Sequence, residues 1–123
     1  ELFAAVRGGG ATLNGKRIQV TTTGELADAV LTSGFPYDKH TNPDNNLRQW
    51  GAFLTRTRGE RRLGSAALDF CYVAAGRIDG YWEKDLKPYD AMAAGGGPRA
   101  LRREQRTAAR RDARRVGGGL AFN

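Results

Sequence analysis

The sequence predicts an α/β fold of the layered α+β kind, with a mixed sheet flanked by helices. Three observations indicate this class. Short strand-like runs separated by glycines occupy the first part of the chain, the apolar period becomes helical near residue 46, and strands and helices alternate from there to residue 94. The 123 residues are long enough to form one domain with a hydrophobic core.

Three short strands are expected in the N-terminal region, at 2–7, 11–13 and 17–22. The pair Asn14-Gly15 tolerates the positive φ angles of a tight turn, so the second and third runs are expected to form a hairpin. A short helical turn is expected at 25–29. A further strand at 29–35 should end before Pro36, because proline lacks the N–H group that a strand needs.

A first helix is expected to begin after the cluster 44–46, whose Asp and Asn side chains are N-cap candidates, and to end near Gly59. Its apolar positions share one helical face. They are Leu47, Trp50, Phe53 and Leu54, whereas Arg48, Gln49, Arg56 and Arg58 fall on the other face.

The next region predicts a short strand at 61–63 and a second helix at 65–75 that ends at Gly76. This helix is apolar almost all round, with Asp69 as its one charge, and such a helix is expected to be buried. An aromatic strand follows at 78–83. Pro88-Tyr89-Asp90 then opens a last helix that runs through Ala94.

Several function classes are excluded by composition. The chain has one cysteine, Cys71, and one histidine, His40, so we expect neither an internal disulfide, nor a structural zinc site, nor a Ser-His-Asp mechanism. A cytoplasmic setting fits this cysteine usage. No run of about 18 apolar residues is present, which argues against a membrane span.

The net charge of +7 is concentrated at the C-terminus. Residues 1–96 carry 12 Lys and Arg against 11 Asp and Glu, whereas residues 97–123 carry 8 Arg against 2 acidic residues. We therefore expect a domain at 1–95 and a disordered or frameshifted tail of Gly, Ala and Arg at 96–123. Nucleic-acid binding by the tail is an alternative function, but it is not favoured because no aromatic residues are interleaved with the arginines.

Two groups of residues suggest chemistry. Four carboxylates near the aromatic strand are of the type that magnesium prefers, although a helix cap and a solvated strand end are equally ordinary explanations. They are Asp79, Glu83, Asp85 and Asp90. Gly64-Ser65 precedes the second helix, whose free N–H groups suit an anionic or hydroxyl-rich ligand, although a simple serine cap would give the same pattern.

Five ordered blocks resemble the C-terminal portion of the inositol monophosphatase family of bacterial type. They are GGGATLNGKRIQV, TSGFPYD, NNLRQWGAF, RRLGSAALDFCYVAAGRIDGYW and KPYDAMAAG. The resemblance implies that Gly64, Ser65 and Ala66 lie against the inositol ring and that Glu83 hydrogen-bonds sugar hydroxyls. It also implies that Asp90 is a catalytic residue that binds magnesium.

The resemblance implies a magnesium-dependent phosphatase acting on inositol monophosphate or a related sugar phosphate, in a family that commonly dimerises. A fructose-1,6-bisphosphatase or nucleotide phosphatase of the same superfamily is the alternative. The chain departs from the family pattern at Tyr89, where tryptophan is usual, and at Lys84-Asp85-Leu86, where a glycine is usual. No motif resembling DPIDGT occurs, so we expect the isolated chain to be inactive.

Overall fold

The computed structural model describes residues 1–84, 86, 89 and 90. Six strands and two α-helices lie in this part of the chain, together with one turn of 3-10 helix at Leu26–Asp28. The strands are β1 (Phe3–Val6), β2 (Gly10–Leu13), β3 (Lys16–Ile18), β4 (Val30–Ser33), β5 (Gly59–Arg61) and β6 (Gly80–Trp82). The helices are α1 (Leu47–Leu54) and α2 (Ala66–Ala74).

The N-terminal strands form an antiparallel sheet in the order β1-β2-β3. The predicted hairpin turn is confirmed, since Asn14 and Gly15 have φ angles of 49° and 78° and connect β2 to β3. This is the backbone that a tight turn between twisted strands requires. The third strand ends at Ile18, earlier than expected.

A second, parallel sheet has the order β5-β4-β6. Thr32 lies opposite Arg61 on one side and Tyr81 on the other. The expected single mixed sheet is therefore wrong for the described residues, which form two sheets of uniform direction. Tight turns make the first sheet antiparallel, whereas helical crossovers through α1 and α2 make the second parallel.

The two helices pack on opposite faces of the parallel sheet. Tyr81 and Trp82 are neighbours on β6 and so point to opposite faces. The ring of Phe70 from α2 meets Tyr81 with centroids 4.7 Å apart, and Phe53 from α1 meets Trp82 at 5.2 Å. This layered arrangement confirms the predicted fold class. Its buried apolar residues are Ala29, Leu31, Phe70, Ile78 and Tyr81.

Helix α1 is shorter than expected. It ends at Leu54, and Gly59 opens β5 instead of ending the helix. Asn46 occupies the N-cap position with φ 71°, but its side chain does not cap the helix. The Asn46 amide instead donates to the Gly34 carbonyl oxygen at 3.1 Å, which ties the start of α1 to the end of β4.

Helix α2 begins after Ser65, as expected, although the Ser65 side chain forms no capping hydrogen bond. Its C-terminal end is the predicted one. Gly76 has φ 68°, its N–H donates to the Val73 carbonyl at 3.0 Å, and the Arg77 N–H donates to Tyr72 at 3.0 Å, which is a Schellman motif. The strand expected just before this helix lies two residues earlier, at β5.

The expected burial of α2 is only partly correct. Asp69 and Phe70 are its buried residues, while Leu68 is 48% exposed. The helix covers one face of a three-stranded sheet, so the positions on its far side are not covered within the described residues. Asp69, the one charged residue of this apolar helix, is thus one of its two buried residues.

The antiparallel sheet is joined to the rest of the chain mainly through α2 and the loop after it. Arg77 forms an ion pair with Glu1, and the Phe3 and Tyr72 rings lie 6.4 Å apart. No helix in the described residues is long and apolar enough to cross a membrane. Tyr89 and Asp90 are helical, whereas the remainder of the predicted last helix and the tail lie outside the described residues.

Candidate functional site

The carboxyl ends of the three parallel strands meet at one edge of the second sheet. Gly34 follows β4, Glu83 follows β6, and the segment 62–65 leads from β5 into α2. Loops at this edge of a parallel sheet commonly bind ligands, because the strand ends diverge there and helices begin there. Two of the groups expected from sequence, Gly64-Ser65-Ala66 and Glu83, therefore lie at the same edge.

Glu83 is held against the end of β4. The Tyr81 hydroxyl donates a hydrogen bond to its Oε2 atom. Its carboxyl group lies over Gly34 so closely that a Cβ atom at position 34 would overlap it. The Gly34 N–H in turn donates to the Trp82 carbonyl at 3.3 Å, which continues the pairing of β4 with β6.

The start of α2 presents backbone donors at this edge. Gly64 has φ 100°, a conformation that other residues rarely adopt, and Ser65 is extended with φ −141°. The first N–H groups of a helix lack intrahelical acceptors. Since the Ser65 side chain does not cap them, the backbone N–H groups from Ala66 onward are not occupied by that hydroxyl.

Asp90 lies near the Tyr81 end of the site. The pKa of Tyr81 is raised, first by burial, next by its hydrogen bond to Glu83, and further by the negative charges of Glu83, Asp69 and Asp90. The three carboxylates thus act on one phenol. Asp90 itself is half-buried and helical.

The loop that departs from the family pattern begins at Lys84. The Lys84 ammonium group forms an ion pair with the carboxylate of Asp44, which lies two residues before Asn46. This contact joins the chain after β6 to the start of α1. Asp85 lies outside the described residues.

Comparison with known proteins identifies the architecture. The sequence profile of the inositol monophosphatase family matches residues 1–96. This chain belongs to the inositol monophosphatase family. The Synechocystis inositol-1-monophosphatase is 50% identical over 95 residues, which are 77% of this chain and 33% of that protein. The resemblance seen in the sequence is thereby confirmed.

Further relatives carry a second name. The Nus factor SuhB of Vibrio cholerae is 47% identical over 95 residues, covering 77% of this chain and 35% of the relative. Among solved structures, the inositol monophosphatase of Anabaena superposes with a TM-score of 0.73 at 46% identity, covering 75% of this chain and 36% of that one. The chain therefore spans about a third of the length of these family members.

Asp69 is a buried acid in helix α2. In the sequence it stands out only as the one charged residue of that helix. It is 1% exposed, and its Oδ1 atom accepts a hydrogen bond from the Thr32 hydroxyl at 3.2 Å. Oδ2 has no partner among the described residues. Burial raises the pKa of Asp69. The signal in the sequence was its isolation in an otherwise apolar helix.

The carboxylates that suggested a metal cluster do not all converge. Asp79 precedes β6 and Glu83 follows it, so the strand separates them. Asp79 accepts hydrogen bonds from the Thr23 hydroxyl at 2.6 Å and the Val30 N–H at 2.7 Å. Burial opposes its ionisation, but these and other hydrogen bonds outweigh that effect and lower the pKa of Asp79. Its role is structural.

The described residues do not by themselves fit a magnesium ion. No group of three or more His, Cys, Asp and Glu side chains in residues 1–84, 86, 89 and 90 is arranged to hold a metal. Magnesium needs oxygen ligands in near-octahedral geometry, commonly one or two carboxylates with substrate phosphate and water. Asp90 supplies one candidate carboxylate toward such a site.

Proposed function

We propose that the protein of which this chain forms part is a magnesium-dependent phosphatase that hydrolyses inositol monophosphate or a related sugar phosphate. The observation that carries the proposal is the Glu83 carboxylate, held at the carboxyl edge of the parallel sheet beside the uncapped start of α2. Family membership and the name of the Synechocystis relative support this activity.

The proposed sugar-binding residues are Gly64, Ser65, Ala66 and Glu83. A carboxylate accepts hydrogen bonds from adjacent ring hydroxyls, and backbone N–H groups at a helix start donate to the oxygen atoms of a ligand. Gly64 adopts a positive φ that lets the chain turn sharply into the helix. Together these groups would bind the hydroxyls of a polyol and direct its phosphate toward the proposed magnesium ligand, Asp90.

Asp90 is the proposed catalytic carboxylate and magnesium ligand of this segment. Members of the family are generally metal-dependent. Asp90 would hold a magnesium ion, which would supply activation of a water and stabilisation of the leaving oxygen in phosphate ester hydrolysis. The remaining ligands would come from residues beyond those described, and we therefore expect the 123-residue chain alone to be inactive.

Other parts of the proposal concern the whole protein. We infer a phosphatase unit at residues 1–95, a separate Arg-rich tail at 96–123, a cytoplasmic location and a homodimeric whole protein. Reading the coding nucleotides in the other two frames tests the origin of the tail. The family resemblance leads us to expect that its members continue past the predicted last helix with a segment resembling ALVREAGG. Such a segment in another frame supports a frameshift, and its absence from both frames contradicts one.

A chimera provides the test of activity. Residues 1–95 replace the matching segment of the Synechocystis inositol-1-monophosphatase, and the purified protein is assayed on inositol monophosphate, fructose 1,6-bisphosphate and a nucleotide 3′-phosphate, with and without magnesium. We expect magnesium-dependent turnover with inositol monophosphate preferred. A folded chimera that is inactive on all three would refute the proposal, and preference for another ester would identify the alternative substrate class.

A further inference from the structure

The Glu83 carboxylate occupies a position that depends on the absence of a side chain at Gly34. A Cβ atom at residue 34 would overlap both carboxyl oxygens and the carboxyl carbon of Glu83. Gly34 has no positive φ angle, so the backbone itself would accept alanine. Glycine is therefore needed here for space, not for conformation.

The backbone of Gly34 is fixed from two directions. Its N–H donates to the Trp82 carbonyl at 3.3 Å, and its own carbonyl accepts from the Asn46 amide at 3.1 Å. Asn46 is 3% exposed. Because both partners hold Gly34 in the sheet, a methyl group added at this position would displace the flexible end of Glu83 and leave the strand in place.

Tyr81 fixes the same carboxylate from another side. Tyr81 is 5% exposed, its ring packs edge-on against Phe70, and its hydroxyl donates to Glu83 Oε2. A buried ring with a fixed orientation gives the hydroxyl a fixed direction. Among the described residues, the Tyr81 hydroxyl and the space above Gly34 thus orient Glu83.

We propose that Gly34 and Tyr81 are positioning residues that set the direction and reach of Glu83 into the sugar-binding site. This inference rests on the proposed contact of Glu83 with the sugar. Filling position 34 should rotate the carboxylate away from Tyr81 and mimic the loss of Glu83, without unfolding the domain. Removing the Tyr81 hydroxyl should loosen Glu83 to a smaller extent, because the space over Gly34 remains.

The first test needs no enzymatic activity. In the full 123-residue chain carrying ¹³C-labelled tyrosine rings, we expect Gly34→Ala and Glu83→Gln to shift the Tyr81 Cζ resonance in the same direction. Gly51→Ala adds the same methyl group where no described residue has an atom within 4 Å, apart from neighbouring residues of the helix itself, and should leave that resonance unchanged. An unshifted Tyr81 signal in folded Gly34→Ala would overturn the inference.

The second test uses the chimera described above. Gly34→Ala and Glu83→Ala should each raise the KM for inositol monophosphate about tenfold, as expected for loss of one charged hydrogen bond to the substrate. The double variant should be no worse than Glu83→Ala alone. Additive losses would contradict positioning through Glu83.

Two tyrosine substitutions in the chimera test the role of the Tyr81 hydroxyl. Tyr81→Phe should raise KM with little change in kcat, whereas Tyr37→Phe, at a residue that is 97% exposed, should change neither. An equal effect of the two substitutions would count against Tyr81. If the chimera has no activity at all, the proposed function fails, yet the tyrosine resonance still decides whether Gly34 and Tyr81 position Glu83.

Discussion

Carboxylates at the two ends of the parallel sheet differ in their hydrogen bonding and in the direction of their pKa shifts. At the amino end, Asp79 has a donor for each carboxylate oxygen and a lowered pKa. At the carboxyl end, Asp69 keeps one buried oxygen without a partner among the described residues and has a raised pKa caused by burial. A satisfied acid stabilises a fold, whereas a partly satisfied one costs stability and commonly marks a functional region.

The largest effect on turnover is expected for Asp90→Asn in the chimera, at the proposed catalytic carboxylate near Tyr81. Removing the charge of the proposed magnesium ligand should lower turnover on the order of a hundredfold while changing side-chain volume little. The assay is initial rate against magnesium concentration. Asp28→Asn, an exposed acid in the 3-10 turn, is the control and should behave as the unmodified chimera. Unchanged magnesium dependence in Asp90→Asn would make Asp90 a structural cap.

At the amino end, Asp79→Ala should affect stability instead of turnover. It leaves the Val30 N–H and the Thr23 hydroxyl without their acceptor, so we expect the free energy of unfolding to fall by about 2–4 kcal/mol. Urea unfolding followed by circular dichroism measures this change. A loss no greater than that of Asp28→Ala would show that Asp79 is not structurally important.

The pH dependence of Asp79 follows from its lowered pKa. Its ionised form is favoured by folding, so its contribution is present above the unfolded value of 3.8 and is lost as pH falls through the lower folded value. The difference between the unmodified chain and Asp79→Ala should therefore shrink below pH 3.8. A difference that stays constant from neutral pH to well below that value would contradict this assignment.

The sheet face that packs against α1 contains a third acid with different behaviour. Glu60 is 7% exposed, its Oε1 accepts from the Trp82 indole at 3.1 Å, and its Oε2 has no partner within the described residues. Burial raises the pKa of Glu60. Because the folded state favours the protonated acid, stability declines as pH rises from 4.5 through the raised folded value.

Glu60→Gln should remove that decline. The amide keeps an acceptor for Trp82 and adds a donor, so we expect a gain of about 1 kcal/mol at mildly alkaline pH relative to the unmodified chain and almost none in acid. Denaturation at both pH values measures it. Asp28→Asn, at an exposed residue, should show no such pH-dependent gain. A loss of stability that grows as pH rises would mean that the Glu60 charge is favourable.

The smallest expected effect lies at neither end of the sheet. Gly51 is inside α1, and the described residues leave open space where an added methyl group would lie. Gly51→Ala should therefore stabilise the chain by about 0.5–1 kcal/mol through helix propensity. The thermal midpoint should rise slightly, with no change in chimera activity. Lower stability would show that α1 packs more tightly at Gly51 than its surroundings indicate.

The sequence by itself determined the features that depend on residues adjacent in the chain. The hairpin at Asn14-Gly15, the end of α2 at Gly76 and the alternation of strands and helices all follow from local backbone preferences. The ordered blocks also indicated the family, which the profile match over residues 1–96 confirms. The proposed site residues Gly64 and Glu83 came from that resemblance, and their binding roles stay predictions.

Only the tertiary structure decided which side chains meet across the sheet. The burial of Asp69 and Glu60, the separation of Asp79 from Glu83 and the division into two sheets depend on how strands far apart in the chain align. Gly34 and Glu83 are far apart in the sequence, yet the pairing of β4 with β6 brings them into contact. Local sequence preferences carry no information about such a contact, because strand register fixes it.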